Sequence, residues 1–321
     1  MVLTVAEFNT TFSKDIKQMF DNQSWEAVKN SWFTQVYDVM DTSEYTASYT
    51  STEGVDLPAY FDEGAPLKNS DIGKGYKVTY DSAEFGHKMA ITKKARLKVG
   101  DNTESIAKIA NKQKNSAIIA MKTFLENECR ELLDYANGSS SSYKIISPDL
   151  AALYDTHTWK STSETFSNDL GTDAIDVDHA ADVAEYAGAF TDSHGVPMPL
   201  NFTKIFVKKG GDASKQAKAV YASKNAQGQY TVTDLDDMNI YSGSVQVIET
   251  PRMSSGNDYF YISDMSGLNL ENPLFVEFIQ RPMSEGTFKE NDNLTREMPY
   301  SSSFKYGIKN LPFNILGGKI A

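Results

Sequence analysis

The stretch of residues 101–137 constrains the fold of this chain more than any other. Ile106, Ile109, Ala110, Ala117, Ala120, Met121, Phe124, Leu125, Cys129, Leu132 and Leu133 recur at helical spacing. Asp101 and Glu104 suit a helix N-terminus, and Asn137-Gly138 a C-terminal stop. A helix of that extent is about 50 Å long at 1.5 Å per residue. Its apolar residues form a single stripe, with Lys108, Lys112, Lys114, Lys122, Glu126 and Arg130 over the rest of the surface, so it calls for a sheet along one side. Cys129 falls on the stripe beside Leu125 and Leu132 and reads as a small core residue, not an activated thiolate.

The flanking segments supply the other layers. Residues 4–20 place Val5, Phe8, Phe12, Ile16, Met19 and Phe20 at helical spacing, with Thr4 and Glu7 as a capping box. Such a terminal helix must lay its apolar face on its own subunit or on a neighbour. Over 41–85 the period changes to two: Tyr45, Ala47 and Tyr49 alternate with polar residues, as do Tyr76, Val78 and Tyr80, around a tip rich in glycine and proline. This predicts a long hairpin. Its tip, carrying Asp56, Asp62, Glu63, Lys68, Asp71 and Lys74, has little apolar content with which to join a core. A two-stranded hairpin is marginal alone in water, so these six residues are expected to meet another subunit.

The break Gly138-Ser-Ser-Ser-Ser142 marks the entry to a second domain. A helix is expected over 177–190. Then come the Gly/Pro turn Thr191-Asp-Ser-His-Gly-Val-Pro-Met-Pro-Leu200, a strand over 201–207, and an Ala/Lys/Gln helix over 211–223. Ser244-Val-Gln-Val-Ile-Glu-Thr-Pro-Arg252 and Tyr259-Phe-Tyr-Ile-Ser-Asp264 read as two strands joined by a hairpin through the polar turn 254–258. Late strands at 274–279 and 303–308 are expected to return to the long helix.

Composition and charge narrow the function. The net charge of −12, from 31 Lys and Arg against 43 Asp and Glu, disfavours long-range attraction to nucleic acid. Two basic clusters, Lys88, Lys93, Lys94, Arg96, Lys98 and Lys204, Lys208, Lys209, read as solvated or intersubunit faces. The single cysteine fits a reducing compartment, and no signal peptide or apolar run of membrane-spanning length is seen, so a soluble, non-secreted chain is expected. His87, His157, His179 and His194 have no zinc-ligand spacing, and no nucleophile elbow, Walker loop or dinucleotide fingerprint occurs. The acids Asp173, Asp176 and Asp178 precede a helix, where its dipole explains them without a metal. No catalytic residue, cofactor or metal is expected.

The order of turn, strand, helix and paired strands over 191–264 resembles the central domain of tailed-phage major capsid proteins of the Hong Kong 97 type. Leu153-Tyr-Asp-Thr-His157, Thr165-Phe-Ser-Asn-Asp-Leu170 and Phe275-Val-Glu-Phe-Ile-Gln-Arg-Pro282 resemble passages of the Mu-type major head subunit. The resemblance implies an α+β capsid fold with an N-terminal arm (1–40), an extended hairpin loop (41–85), a peripheral domain in two parts (86–145, with its spine helix at 101–137, and 266–321) and an axial domain (146–265). It implies a shell subunit, not an enzyme, forming hexamers and pentamers of an icosahedral head around double-stranded DNA. The resemblance also implies assembly in the host cytoplasm. Expected partners are further copies of itself, a separate scaffold protein (the arm starting at Met1 leaves no room for a built-in one), a portal, and DNA by non-specific contact, with no membrane. An encapsulin-like cellular shell and a soluble enzyme with a site near His157 are the alternatives.

Overall fold

The computed structural model describes residues 5–54, 73–92, 103–135, 147–222, 241–264, 272–286, 289–290 and 295–321. The elements run α1 Val5–Lys29, a 3₁₀ turn Trp32–Gln35, β1 Asp38–Asp41, β2 Thr46–Thr52, β3 Lys74–Asp81, β4 Ala83–Thr92 and α2 Thr103–Leu133. They continue with β5 Thr156–Thr158, β6 Thr165–Ser167, β7 Asp169–Thr172, α3 Val177–Ala189, β8 Phe202–Lys208, α4 Asp212–Tyr221 and β9 Gln246–Thr250. The last are β10 Asp258–Ser263, β11 Leu274–Ser284, β12 Lys289–Glu290, β13 Thr295–Ile308 and β14 Ile315–Lys319. The chain divides into two compact units.

The first unit comprises Met1–Ala47, Tyr80–Cys129 and Val276–Tyr306. Its sheet has the order β1-β11-β13-β12, with β4 also on β13, antiparallel from Thr295↔Thr92 to Phe304↔Ala83. The stripe of α2 covers this sheet as its periodicity requires: Ala117, Met121, Leu125 and Cys129 are buried, and Phe124 lies 4.6 Å from the Phe85 ring of β4. Burial pushes the Cys129 thiol far above its ordinary pKa, the mark of a core residue. Helix α1 extends past residue 20 to Lys29 because its buried line continues through Phe20, Ser24 and Val28 at i, i+4, i+8. Phe20 meets Tyr300 at 5.2 Å, and Trp25 stands edge-on to Phe278 at 5.3 Å. The capping residue Thr4 lies outside the described residues. Lys305, 2% exposed, is neutralised by Glu277 at 3.0 Å and donates to the Glu44 carbonyl at 2.8 Å.

The second unit comprises Ser48–Thr79, Arg130–Phe275 and Gly307–Ala321. Its sheet has the order β7-β14-β10-β8-β9. All six residues of β10 are buried, with β8 on one edge and β14 on the other, and Phe206 stacks on Phe260 at 4.9 Å across the β8–β10 pair. Against the sheet lie α3 and α4, contributing Ala180, Val183, Ala187, Ala213, Ala217 and Val220 to one core with Ile205, Val207 and Tyr261. Asp176 caps α3 by accepting the His179 amide proton at 2.9 Å, so at least this acid of the 173–178 group is explained by the helix it begins.

One pairing differs from the sequence expectation. Residues 244–252 and 259–264 do form strands, but not a hairpin. Strand β8 lies between them, parallel to β9 (Lys204↔Gln246 to Lys208↔Thr250) and antiparallel to β10 (Tyr259↔Val207). The turn expected to close the hairpin instead serves α4: the Gly256 carbonyl accepts the Ala213 amide proton at 3.1 Å. Gly211 stands so close that a Cβ there would lie 2.5 Å from the Gly256 oxygen. Strand β14, at the end of the stretch 266–321, lies in this second sheet, antiparallel to β10 and parallel to β7.

Candidate assembly site at the hairpin root

Strands β2 and β3 form a separate two-stranded sheet, as their alternation predicts. Ser48 and Thr79 hydroxyls bond across it at 2.9 Å. Of the six tip residues expected to contact a neighbour, Asp56, Asp62, Glu63, Lys68 and Asp71 lie outside the described residues, while Lys74 opens β3 and is exposed.

The root of this hairpin is bound to its own unit. The Glu53 amide donates to the Gly73 carbonyl at 2.9 Å, closing the two arms on each other. The Glu53 side chain, in a residue 5% exposed, accepts from the Lys160 amide at 2.9 Å and the Ser161 amide at 2.7 Å, one on each carboxylate oxygen. Two converging backbone donors make a compact anion seat. Lys160 closes the other side. Its ammonium donates to the Gly75 carbonyl at 3.3 Å and lies 5.5 Å from the Tyr76 ring centroid, while the Tyr76 hydroxyl donates to the Thr158 carbonyl at 3.2 Å. Burial, with the Asp149 and Glu53 charges behind it, raises the Tyr76 pKa.

The second arm of the seat is the Gly/Pro turn. The Gly54 amide donates to the Ser193 hydroxyl at 3.1 Å. A Cβ at Gly54 would lie 1.9 Å from Asp192 Oδ2, and Asp192 is not free to swing, because its other oxygen accepts from the His194 amide at 2.8 Å and the Val196 amide at 2.9 Å. Only glycine lets the chain leave β2 at this point. A cavity of about 500 Å³ adjoins this turn, lined by Trp159, Phe166, Tyr186, Phe190, Asp192 and His194 among others.

Beneath the seat, β5 and β6 pair through His157↔Phe166. His157 is wholly buried: Nε2 lies 3.1 Å from the Leu153 carbonyl and Nδ1 3.0 Å from Asp149 Oδ2. Asp149 also accepts from the Thr158 amide at 3.1 Å and the Ala151 amide at 3.3 Å. His157 is thus a bracing residue with every polar atom engaged inward. The other histidines are dispersed: His87 is exposed on β4, His179 is packed between Tyr259 and Tyr261, and the His194 ring bonds the Ser193 hydroxyl at 2.9 Å. No group of three potential metal ligands occurs among the described residues, and among them no helix is long and apolar enough to cross a membrane. Of the basic clusters, Lys88 pairs with Glu297 at 2.9 Å and Lys208 donates to the Ser254 carbonyl at 3.0 Å; Lys93, Lys94, Arg96 and Lys98 lie outside the described residues. The Glu53 seat was not foreseen. Its only local signal is an acid followed by glycine at a strand end, and its donors lie 107 and 108 residues away.

No family model matches this sequence, and neither does any curated protein. Solved structures do match. A chain of Mycobacterium phage Patience is 12% identical, covering 99% of this chain and 89% of its own, with a TM-score of 0.53. The capsid of the cyanophage P-SCSP1u is 9% identical, covering 90% and 88%, with a TM-score of 0.56. The capsid of an empty GTA particle is 12% identical, covering 90% and 89%, with a TM-score of 0.51. At such identities the likeness is one of fold: this chain has the mixed α+β fold of phage capsid chains of the Hong Kong 97 type.

Proposed function

We propose that this chain is the major capsid protein of a tailed phage, a structural subunit whose activity is self-assembly into hexamers and pentamers of an icosahedral shell. The observation that carries this reading is the shared fold with capsid chains over about nine-tenths of both partners. The hairpin root supports it in physical terms. Glu53, Gly54, Lys160 and Ser193 anchor the base of the loop at the point where the chain leaves β2. In this reading 1–40 is the arm, 41–85 the extended loop, 86–145 with 266–306 the peripheral domain and 146–265 the axial domain, to which 307–321 returns through β14, and the tip residues Asp56 to Lys74 meet a neighbouring subunit. The passages at 153–157, 165–170 and 275–282 support a likeness to the Mu-type head subunit. Scaffold, portal and packaged DNA are its partners, and assembly takes place in the host cytoplasm.

The purified chain, alone and with a candidate scaffold protein, is expected to form capsomers or shells visible by negative-stain microscopy and sedimentation. A strictly monomeric species under both conditions would sink the reading. Particles from the native source are expected to hold DNA; enzyme cargo would favour an encapsulin-like shell instead.

A further inference from the structure

We infer that the cavity beside the turn 191–200 is a binding site for a guanidinium group; the inference does not depend on the shell reading above. The cavity, about 500 Å³, falls within the size range of small-ligand sites, roughly 300–1,000 Å³. Its wall is aromatic. Trp159 lies 5.3 Å from Phe166, Phe166 stands edge-on to Phe190 at 5.5 Å, and Phe190 lies 5.8 Å from Tyr186. Phe166 and Tyr186 remain half-buried. The Tyr186 hydroxyl is sealed without a hydrogen-bond partner among the described residues, an acceptor that the subunit itself leaves unmatched.

Two carboxylates share this lining, and neither has a cation. The Glu164 side chain is exposed and makes no hydrogen bond or ion pair among the described residues. Asp192 Oδ1 accepts the His194 and Val196 amides, while Oδ2 receives no donor among the described residues. No lysine or arginine occurs among the described lining residues, and the ring of His194 is bonded to the Ser193 hydroxyl at 2.9 Å.

Charge and shape together select the ligand. Uncompensated carboxylates favour a cation, but no group of three potential metal ligands occurs among the described residues, and a hydrated metal ion leaves the rings uncovered. A planar guanidinium lays a weakly hydrated face on an aromatic ring while its N–H edge pairs with a carboxylate. The first unit contains the same arrangement filled from within. There the Arg281 guanidinium carbon lies 4.2 Å from the Trp25 ring centroid while Nε donates to Asp41 at 2.9 Å. The cavity presents rings and carboxylates with no arginine of its own described lining to fill them.

The test titrates the purified chain with butylguanidinium and, as a neutral compound of the same shape, butylurea. Trp159 emission is the readout, since the other two tryptophans, Trp25 and Trp32, belong to the first unit. Butylguanidinium is expected to give a saturable change at about millimolar concentration or below, and butylurea none. Glu164→Gln, which breaks no bond of the described fold, is expected to weaken binding about three- to tenfold, while Glu84→Gln, the same charge change on β4 of the first unit, leaves it unaltered. Nα-acetylarginine methylamide separates the sources: tighter binding than butylguanidinium assigns the guest to an arginine of a protein chain, weaker binding to a free guanidinium compound, and either supports the site. Equal responses to butylguanidinium and butylurea would overturn the inference, and this comparison needs no variant. So would an unchanged affinity in Glu164→Gln. Tighter binding of butylammonium would overturn guanidinium as the ligand class.

Discussion

The second unit buries carboxylates in two places and treats them in opposite ways. Around β5, donors converge on each acid: Glu53 receives two amides, and Asp149 receives two amides and the His157 ring. Burial alone pushes the Asp149 carboxyl up, but the His157 bond and charge, with the Thr158 and Ala151 amides, outweigh it and hold the group below its ordinary 3.8. Just past the end of α2 the balance reverses. Asp134 and Asp258 are each 1% exposed. Burial raises Asp134 despite the Ser254 amide, Arg130 at 3.1 Å and Lys208. Burial and the Asp134 charge raise Asp258 despite Lys319, Ser255 and Lys208. Sealing a carboxylate from water strengthens a fold only where enough donors point at it. The first site is a brace, and the second is a standing cost at neutral pH.

The comparison breaks most sharply at His157. His157→Ala leaves Asp149 buried without its ring hydrogen bond and a cavity in place of the imidazole, and a loss of about 3–5 kcal/mol in unfolding free energy is expected, read by urea denaturation at pH 7. A loss within the noise of that measurement would mean water replaces the imidazole and the brace is not one. Glu53→Gln is expected to cost about 1–3 kcal/mol, since one of its two amide acceptors becomes a donor facing a backbone N–H. The consequence is local. Limited proteolysis is expected to cut within the hairpin faster than in the wild type, whereas equal cleavage rates would show that the root is held by something other than this seat.

Asp258→Asn has the smallest effect and the opposite sign, neutral or stabilising by about 1 kcal/mol or less at pH 7. The pH dependences also oppose each other. The folded-state pKa of Asp149 is lowered, so its contribution is present above the ordinary 3.8 and is lost as pH falls through the lower folded value. The folded-state pKa of Asp258 is raised, so its contribution is fully present below 3.8 and is lost as pH rises through the higher folded value. In melts over about pH 4 to 8, the advantage of Asp258→Asn over wild type should grow with pH. An advantage that shrank as pH rose would contradict the opposition between the two sites.

Much of the architecture was legible along the chain. The stripe through Leu125 and Cys129 predicts α2, the alternation of Tyr76, Val78 and Tyr80 predicts β3, and the acids before Val177 suit the N-terminal end of α3. These are signals between residues two to four apart, and backbone geometry turns them directly into one face of a helix or strand. The end of α1 was missed because the buried line through Ser24 passes over a polar residue, whose hydroxyl is satisfied by the Pro282 carbonyl at 2.8 Å, a partner 258 residues away.

By itself, then, the sequence determined which segments are helix or strand, which faces are apolar, that Cys129 belongs in a core, and the order of elements from which the capsid fold could be expected. Only the tertiary structure decided that β8 separates β9 from β10, that β14 completes the second sheet, and that Glu53, Asp149 and His157 meet their donors. The physical reason is that a strand edge or a carboxylate does not specify its partner. Any strand with the right pleat can pair with β10, and any amide can fill a carboxylate, so the choice falls to whichever arrangement buries the most apolar surface while leaving no polar group unmatched. That sum runs over residues more than a hundred positions apart, and no local pattern contains it.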